Sequence, residues 1–305
     1  MSKKEHRVSK RYAKRNFNTV GLLLIVYALA VLIVPFFLHL YMISQIPEIM
    51  KDELLYYGIY FLIILFGTLV PFFLMRKIFK VPFKRINRNF TSTFTDLFVQ
   101  TIVFFTICIA LTYVSNILFS YIGMEGKLIS SIGFSYDDAN LNNALYVFML
   151  IIVTPIVEEY AFRGVLLNVL SKYGKNFGLY ASSLIFALAH LSFAEMIPAF
   201  AMGVQLGKTS LRYRSIRPTL IIHILFNALI YALCVIPASI TRYMAYGLAA
   251  IVIVAAYLFL SGRYERIRIQ KLRSNRITNV VFYSRPTIVI AMVLMIVDSL
   301  LFLFQ

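Results

Sequence analysis

The chain has 305 residues, of which 60% are hydrophobic and only 14% charged, with a formal net charge of +17. A soluble domain carries about 45–50% apolar and about 25% charged residues, so this composition excludes an ordinary water-soluble fold. Nor does the charge indicate nucleic acid, because the lysines and arginines sit between apolar blocks instead of clustering on one face or tail.

Taken in order, nine apolar blocks approach the ~20 residues needed to cross about 30 Å of hydrocarbon, and they predict an all-α, polytopic transmembrane helix bundle of eight to nine spans. A basic tail over 1–18 precedes a first span at 19–43. Its apolar run continues past Ala28-Leu29-Ala30, too far for the apolar region of a signal peptide, so the span is expected to be retained. His39 within it reads as a packing residue. Spans at 54–75 and 96–122 complete an N-terminal transmembrane region, 19–141. Spans at 142–160, 178–194, 196–211 and 218–236 make up a core region, 142–237, in which the second and third of these four form a hairpin around Ser192–Glu195. The C-terminal region, 238–305, holds spans at 243–260 and 287–304 on either side of a basic loop, 262–286. Cys108 and Cys234 lie inside apolar stretches and read as packing residues.

Charge orients the bundle. On alternate loops fall 27 of the 30 lysines and arginines, leaving Lys51, Lys127 and Arg242 on the other side. The positive-inside rule then makes the N-terminus cytoplasmic in a multi-pass protein of the plasma membrane. The tail and the Arg263–Arg276 block are expected to meet anionic lipid headgroups.

Charged groups inside spans are expensive and read as functional by default. The fourth span closes on Thr154-Pro-Ile-Val-Glu158-Glu159-Tyr-Ala-Phe-Arg163-Gly164. Glu159 and Arg163, spaced i, i+4, share a helical face and can pair, whereas Glu158 is turned about 100° away and is free to face a cavity. A carboxylate among apolar groups is a better base than one in water. Two histidines on other helices join it: His190 closes Phe186-Ala-Leu-Ala-His190, and His223 opens His223-Ile-Leu-Phe-Asn227, which puts imidazole and carboxamide on one face.

These three motifs, in this order and each in its own span, resemble those of the CPBP family of CAAX-processing and bacteriocin-processing proteases, also called Abi. The resemblance covers roughly residues 142–237. It implies an eight-helix membrane bundle around a conical catalytic cavity open to the cytosol, and a peptide hydrolase whose attacking species is water. It further implies that Glu158 and His190 activate that water, that His223 and Asn227 donate to the developing oxyanion, and that Glu159 and Arg163 support them. No metal or other cofactor is expected. Zinc is the competing reading, since two histidines and a glutamate are legitimate ligands, but His-Glu-x-x-His is absent. The expected substrate is a membrane-embedded peptide or protein.

Two further readings belong to other classes: a non-proteolytic scaffold or immunity protein that binds a membrane-protein partner, and a proton-coupled carrier in which Asp298 would matter most. One geometric difficulty accompanies the protease reading. Counted from the cytoplasmic ends, Glu158 falls within a turn or two of the interface, His223 about 9 Å deep and His190 about 18 Å. The fourth span must bend at Pro155, or the fifth must start deeper, for them to meet.

Overall fold

With no solvent to bond to, a chain this apolar must pair every backbone N–H and C=O internally, and a helix does so within one segment. The computed structural model is helical in every element among the residues it describes, which are 3–46, 48, 53–83, 89, 94–121, 147–190, 192–235 and 276–302, with 247, 250, 253, 254 and 257. Most of the expected span at 243–260, the basic block up to residue 275, and the side chains of Cys234 and Asp298 lie outside the described residues.

The first helix runs unbroken through α1 (Lys3–Ala28), a π-turn at Leu29–Ile33 and α2 (Val34–Gln45). It is followed by α3 (Glu53–Ile78) and α4 (Phe94–Ser120), both apolar on every face, as expected of helices surrounded by lipid. Among the described residues three stretches, Arg11–Gln45, Gly58–Ile78 and Leu97–Ser120, are long and apolar enough to cross a membrane. Arg217–Ala232 and Pro286–Val297 are shorter apolar helices. His39 is satisfied where it stands, its Nδ1 lying 2.8 Å from the Tyr56 hydroxyl, and Cys108 is buried.

The fourth helix departs from expectation. The sequence ends it near residue 160, but helical structure continues through a π-turn at Met149–Val153, α5 (Thr154–Glu158), a second π-segment at Glu159–Leu166 and α6 (Leu167–Leu170). Arg163 is therefore no loop charge: it is 2% exposed in the middle of a helix. Two of the polar letters that suggested an end meet each other inside the bundle, Arg163 Nη1 lying 2.8 Å from Glu159 Oε1, although Glu159 Oε2 and Arg163 Nη2 are buried without a hydrogen-bond partner among the described residues. Asn168 Nδ2 donates to the carbonyls of Arg163 and Gly164, at 3.0 and 2.9 Å, which satisfies oxygens where the wider π-turn gives way to α-helix.

Beyond Gly174, whose φ of 143° no other residue adopts readily, come α7 (Lys175–Leu188) and α8 (Phe193–Tyr213), the expected hairpin. The 14 residues of α7 span about 21 Å, short of a 30 Å crossing, so the turn that follows it lies inside the bundle. The hairpin closes tightly because Gly203 has no side chain. A Cβ there would lie 2.9 Å from both Cα and Cβ of Ser183. Alanine would gain about 1 kcal/mol of helix propensity but cost roughly 1–3 kcal/mol in overpacking. Gly203→Ala is expected to lower the thermal unfolding temperature in detergent, and an unchanged or raised midpoint would contradict this packing. The remaining elements are α9 (Arg217–Val235), α10 (Arg276–Tyr283) and α11 (Pro286–Phe302), the last packed along α1.

Candidate active site

The site grows out of an irregular helix. Pro155 has no N–H to give. In the π-turn before it, Thr154 N–H bonds the Met149 carbonyl five residues back, so the register that Pro155 cannot complete leaves the Leu150 carbonyl without a backbone donor. Asn227 supplies the missing group, its Nδ2 lying 3.0 Å from Leu150 O. Where the sequence suggests a bend at Pro155, the structure has a local widening of the helix, and π-turns of this kind recur at functional sites.

One turn later the two glutamates separate. Glu159 is fully buried, with Oε1 2.8 Å from Arg163 Nη1, the pair that their spacing predicts. Glu158 is 26% exposed and lines a cavity of about 260 Å³ together with His190, His223 and Asn227. All four residues singled out from the motifs therefore face one space.

The depth difficulty disappears once the longer helix is recognised. Twelve residues separate Glu158 from Leu170, the end of α6, or about 18 Å along the axis, so Glu158 is not near the helix end as the sequence suggests. It lies level with the turn that carries His190. The start of α9 is itself enclosed, with Ser215 and Thr219 buried, which carries His223 deeper than its position in the helix implies.

Hydrogen bonding fixes the imidazoles. His190 Nδ1 lies 2.9 Å from the Phe186 carbonyl, which can only accept, so Nδ1 carries the hydrogen and Nε2 is the free atom. The turn is anchored on two further sides: Ser299 Oγ donates to His190 O at 3.3 Å, and Ser115 Oγ to Ala194 O at 2.6 Å. His223 bridges both glutamates, with Nδ1 3.0 Å from Glu159 Oε1 and Nε2 3.6 Å from Glu158 Oε2. Glu159, paired with Arg163, accepts from Nδ1–H. An attractive contact on the other side then requires a proton on either Nε2 or Glu158.

Phe186 is the hub of this arrangement. The Arg163 guanidinium sits 4.0 Å over its ring centroid, a cation–π contact, and the rings of His190 and His223 meet it edge-on at 4.9 and 6.4 Å. Phe162 and Phe72 continue the column away from the cavity. The side chain that precedes the second-motif histidine by four residues is thus the floor on which the charged groups rest.

Chemically, the cavity offers a carboxylate base, an imidazole with a defined free nitrogen, and an amide whose second N–H remains after the bond to Leu150. Among the described residues, no three His, Cys, Asp or Glu side chains are grouped to hold a metal ion. Sequence reasoning missed Glu195, Tyr231 and Thr112 as lining residues. Glu195 had been read as part of the hairpin link, and its position two residues into a helix next to a motif histidine was the available signal. A second cavity, about 310 Å³ and more apolar, lies on the other side of Thr154 and Glu158, between residues such as Tyr27, Ile64, Leu65 and Val157.

Residues 140–229, which contain every residue of the proposed constellation, match the family model described as type II CAAX prenyl endopeptidase Rce1-like, in line with the resemblance that the three motifs carry. No curated protein and no solved structure matches the chain.

Proposed function

We propose that the protein is an intramembrane endopeptidase that cuts a membrane-associated peptide or protein with water activated by Glu158. The observation that carries this reading is the meeting of Glu158, His190, His223 and Asn227, drawn from two helices and the turn that follows a third, on one cavity of about 260 Å³.

In the reaction we envisage, a water molecule between Glu158 and the free Nε2 of His190 loses its proton as it attacks the peptide carbonyl. The proton passes to the leaving amine from Glu158 or His190, which returns the site to its starting state. The free N–H of Asn227, with His223 when its Nε2 carries the proton, donates to the oxyanion, where fixed donors act most strongly in a water-poor site. No covalent acyl-enzyme forms. The apolar second cavity, sharing Glu158 with the first, suits an apolar side chain or lipid chain beside the bond to be cut. Cavity opening toward the cytosol, a cytoplasmic N-terminus and the plasma membrane belong to the same proposal, on the strength of the distribution of lysines and arginines.

The test is a comparison of peptide termini. Membranes containing the wild-type protein or its Glu158→Gln variant are incubated, and short membrane-associated fragments are sequenced by mass spectrometry. New termini are expected with the wild type alone. Identical sets of termini would remove the protease reading and leave the scaffold.

A further inference from the structure

The cavity contains a carboxylate that the water-activating groups do not use. Ser192-Phe-Ala-Glu195 has the spelling of a capping box, in which the serine and glutamate side chains would satisfy the first N–H groups of α8. That explanation fails here. Ser192 makes no side-chain cap bond, and Glu195, although in the first turn, faces the same cavity as Glu158 and His190.

The Glu195 backbone N–H bonds Ser192 O at 3.0 Å, but among the described residues its carboxyl group has neither a hydrogen bond nor an ion pair. The titratable neighbour whose field reaches it is His190, whose Nδ1 is already spent on the Phe186 carbonyl. The described lining residues include no lysine or arginine, and the nearby guanidinium of Arg163 is committed to Glu159. Two carboxylates, Glu158 and Glu195, thus face a space largely walled by apolar groups, with imidazoles as the only basic side chains on the lining. Such a cavity supplies no lysine or arginine to its carboxyl groups and suits a cation from outside, since a desolvated carboxylate is costly until it is paired.

We propose that Glu195 is the specificity-determining residue of this cavity, a carboxylate that receives a lysine or arginine side chain of the substrate beside the bond to be cut. The proposal rests on the protease reading for its biological meaning, but the pairing can be tested without turnover. It also favours cleavage within a basic sequence over removal of residues that end in a free carboxylate.

The experiment uses the full chain in proteoliposomes and membrane-anchored fluorogenic peptides. A lysine is placed at each of three positions on either side of the bond, with norleucine and glutamate peptides as controls. At one position or more, the wild type is expected to cleave the lysine peptide roughly tenfold or more faster in kcat/KM than its norleucine counterpart, the cost of leaving a buried charge unpaired. In Glu195→Gln this ratio falls toward 1, and in Glu195→Lys the glutamate peptide becomes the preferred one. A lysine-to-norleucine ratio near 1 at every position in the wild type, or a ratio unchanged by Glu195→Gln, overturns the proposal. A second arm measures binding of the same peptides to Glu158→Gln by fluorescence anisotropy. Adding Glu195→Gln to that background should weaken lysine-peptide binding about tenfold and leave norleucine-peptide binding within twofold, and equal effects on both overturn the assignment. Lysine-selective binding without cleavage by the wild type would sink the protease reading while sustaining the cation site.

Discussion

Glu158→Gln is expected to slow peptide cleavage by about 10²–10⁴-fold, the range by which a positioned acid or base accelerates proton transfer, while the protein still inserts and unfolds at nearly its normal temperature. The two halves of this expectation have separate causes. Glutamine keeps the size of the side chain but cannot take a proton from water. Glu158 is 26% exposed and approaches His223 Nε2 only to 3.6 Å, whereas the other ring nitrogen stays anchored on Glu159 at 3.0 Å. Little of the fold therefore depends on Glu158. His190→Gln is expected to show a comparable loss, and the double variant little more than either one, because groups acting on a single water are not additive. Cleavage rates in proteoliposomes and unfolding midpoints in detergent check both halves. Full activity in Glu158→Gln would end the assignment of the base, and a collapse in stability would make it a structural residue instead.

How far the residues alone could be read varies along the chain in a way that has physical causes. Long apolar helices such as α3 and α4 were legible to within a few residues, since hydrophobicity and length are what a span requires. The Glu159–Arg163 pair was legible because i, i+4 neighbours meet on a helix, and Glu158 was set apart by the same geometry. The end of the fourth helix was not legible. A window that counts charges sees Glu158, Glu159 and Arg163 as an interface, while in three dimensions Arg163 is neutralised by Glu159 and sheltered by the Phe186 ring at 4.0 Å. Burial of a charge depends on partners from other helices, which local sequence does not reveal. The bond from Asn227 to Leu150 escaped notice for the same reason: it follows from the π-register in front of Pro155, and that register is a property of the packed helix. Glu195 was not legible as a site residue because it sits in a short link between two apolar spans, and only the shortness of α7 keeps that link inside the bundle.

The buried pair itself should prove more important to stability than any other polar contact of the site. Arg163→Met is expected to cost about 3–5 kcal/mol, the penalty for stranding a buried charge, because Glu159 is fully buried and would lose its guanidinium partner, keeping only His223 and the Thr219 hydroxyl among the described residues. Lysine should not rescue it. The guanidinium sits 4.0 Å over the Phe186 ring centroid with Nη1 2.8 Å from the carboxylate, and an ammonium on a flexible stem is a poor substitute for both contacts at once. Removing both charges, in Glu159→Gln with Arg163→Met, should recover much of the stability, since an apolar or neutral replacement of a buried ion pair is often close to neutral. Activity should not return with it. Without the Glu159 carboxylate the Nδ1–H of His223 loses its charged acceptor, and with it the orientation that turns Nε2 toward Glu158. Unfolding midpoints in detergent and cleavage rates in proteoliposomes separate these outcomes. A double variant as active as the wild type would mean that the pair only packs the bundle. Arg163→Met with an unchanged midpoint would mean that the charges are not buried together in the membrane as they are in this structure. The expected split, with stability regained and catalysis still lost, is what distinguishes a carboxylate that aims a histidine from one that merely fills a helix interior.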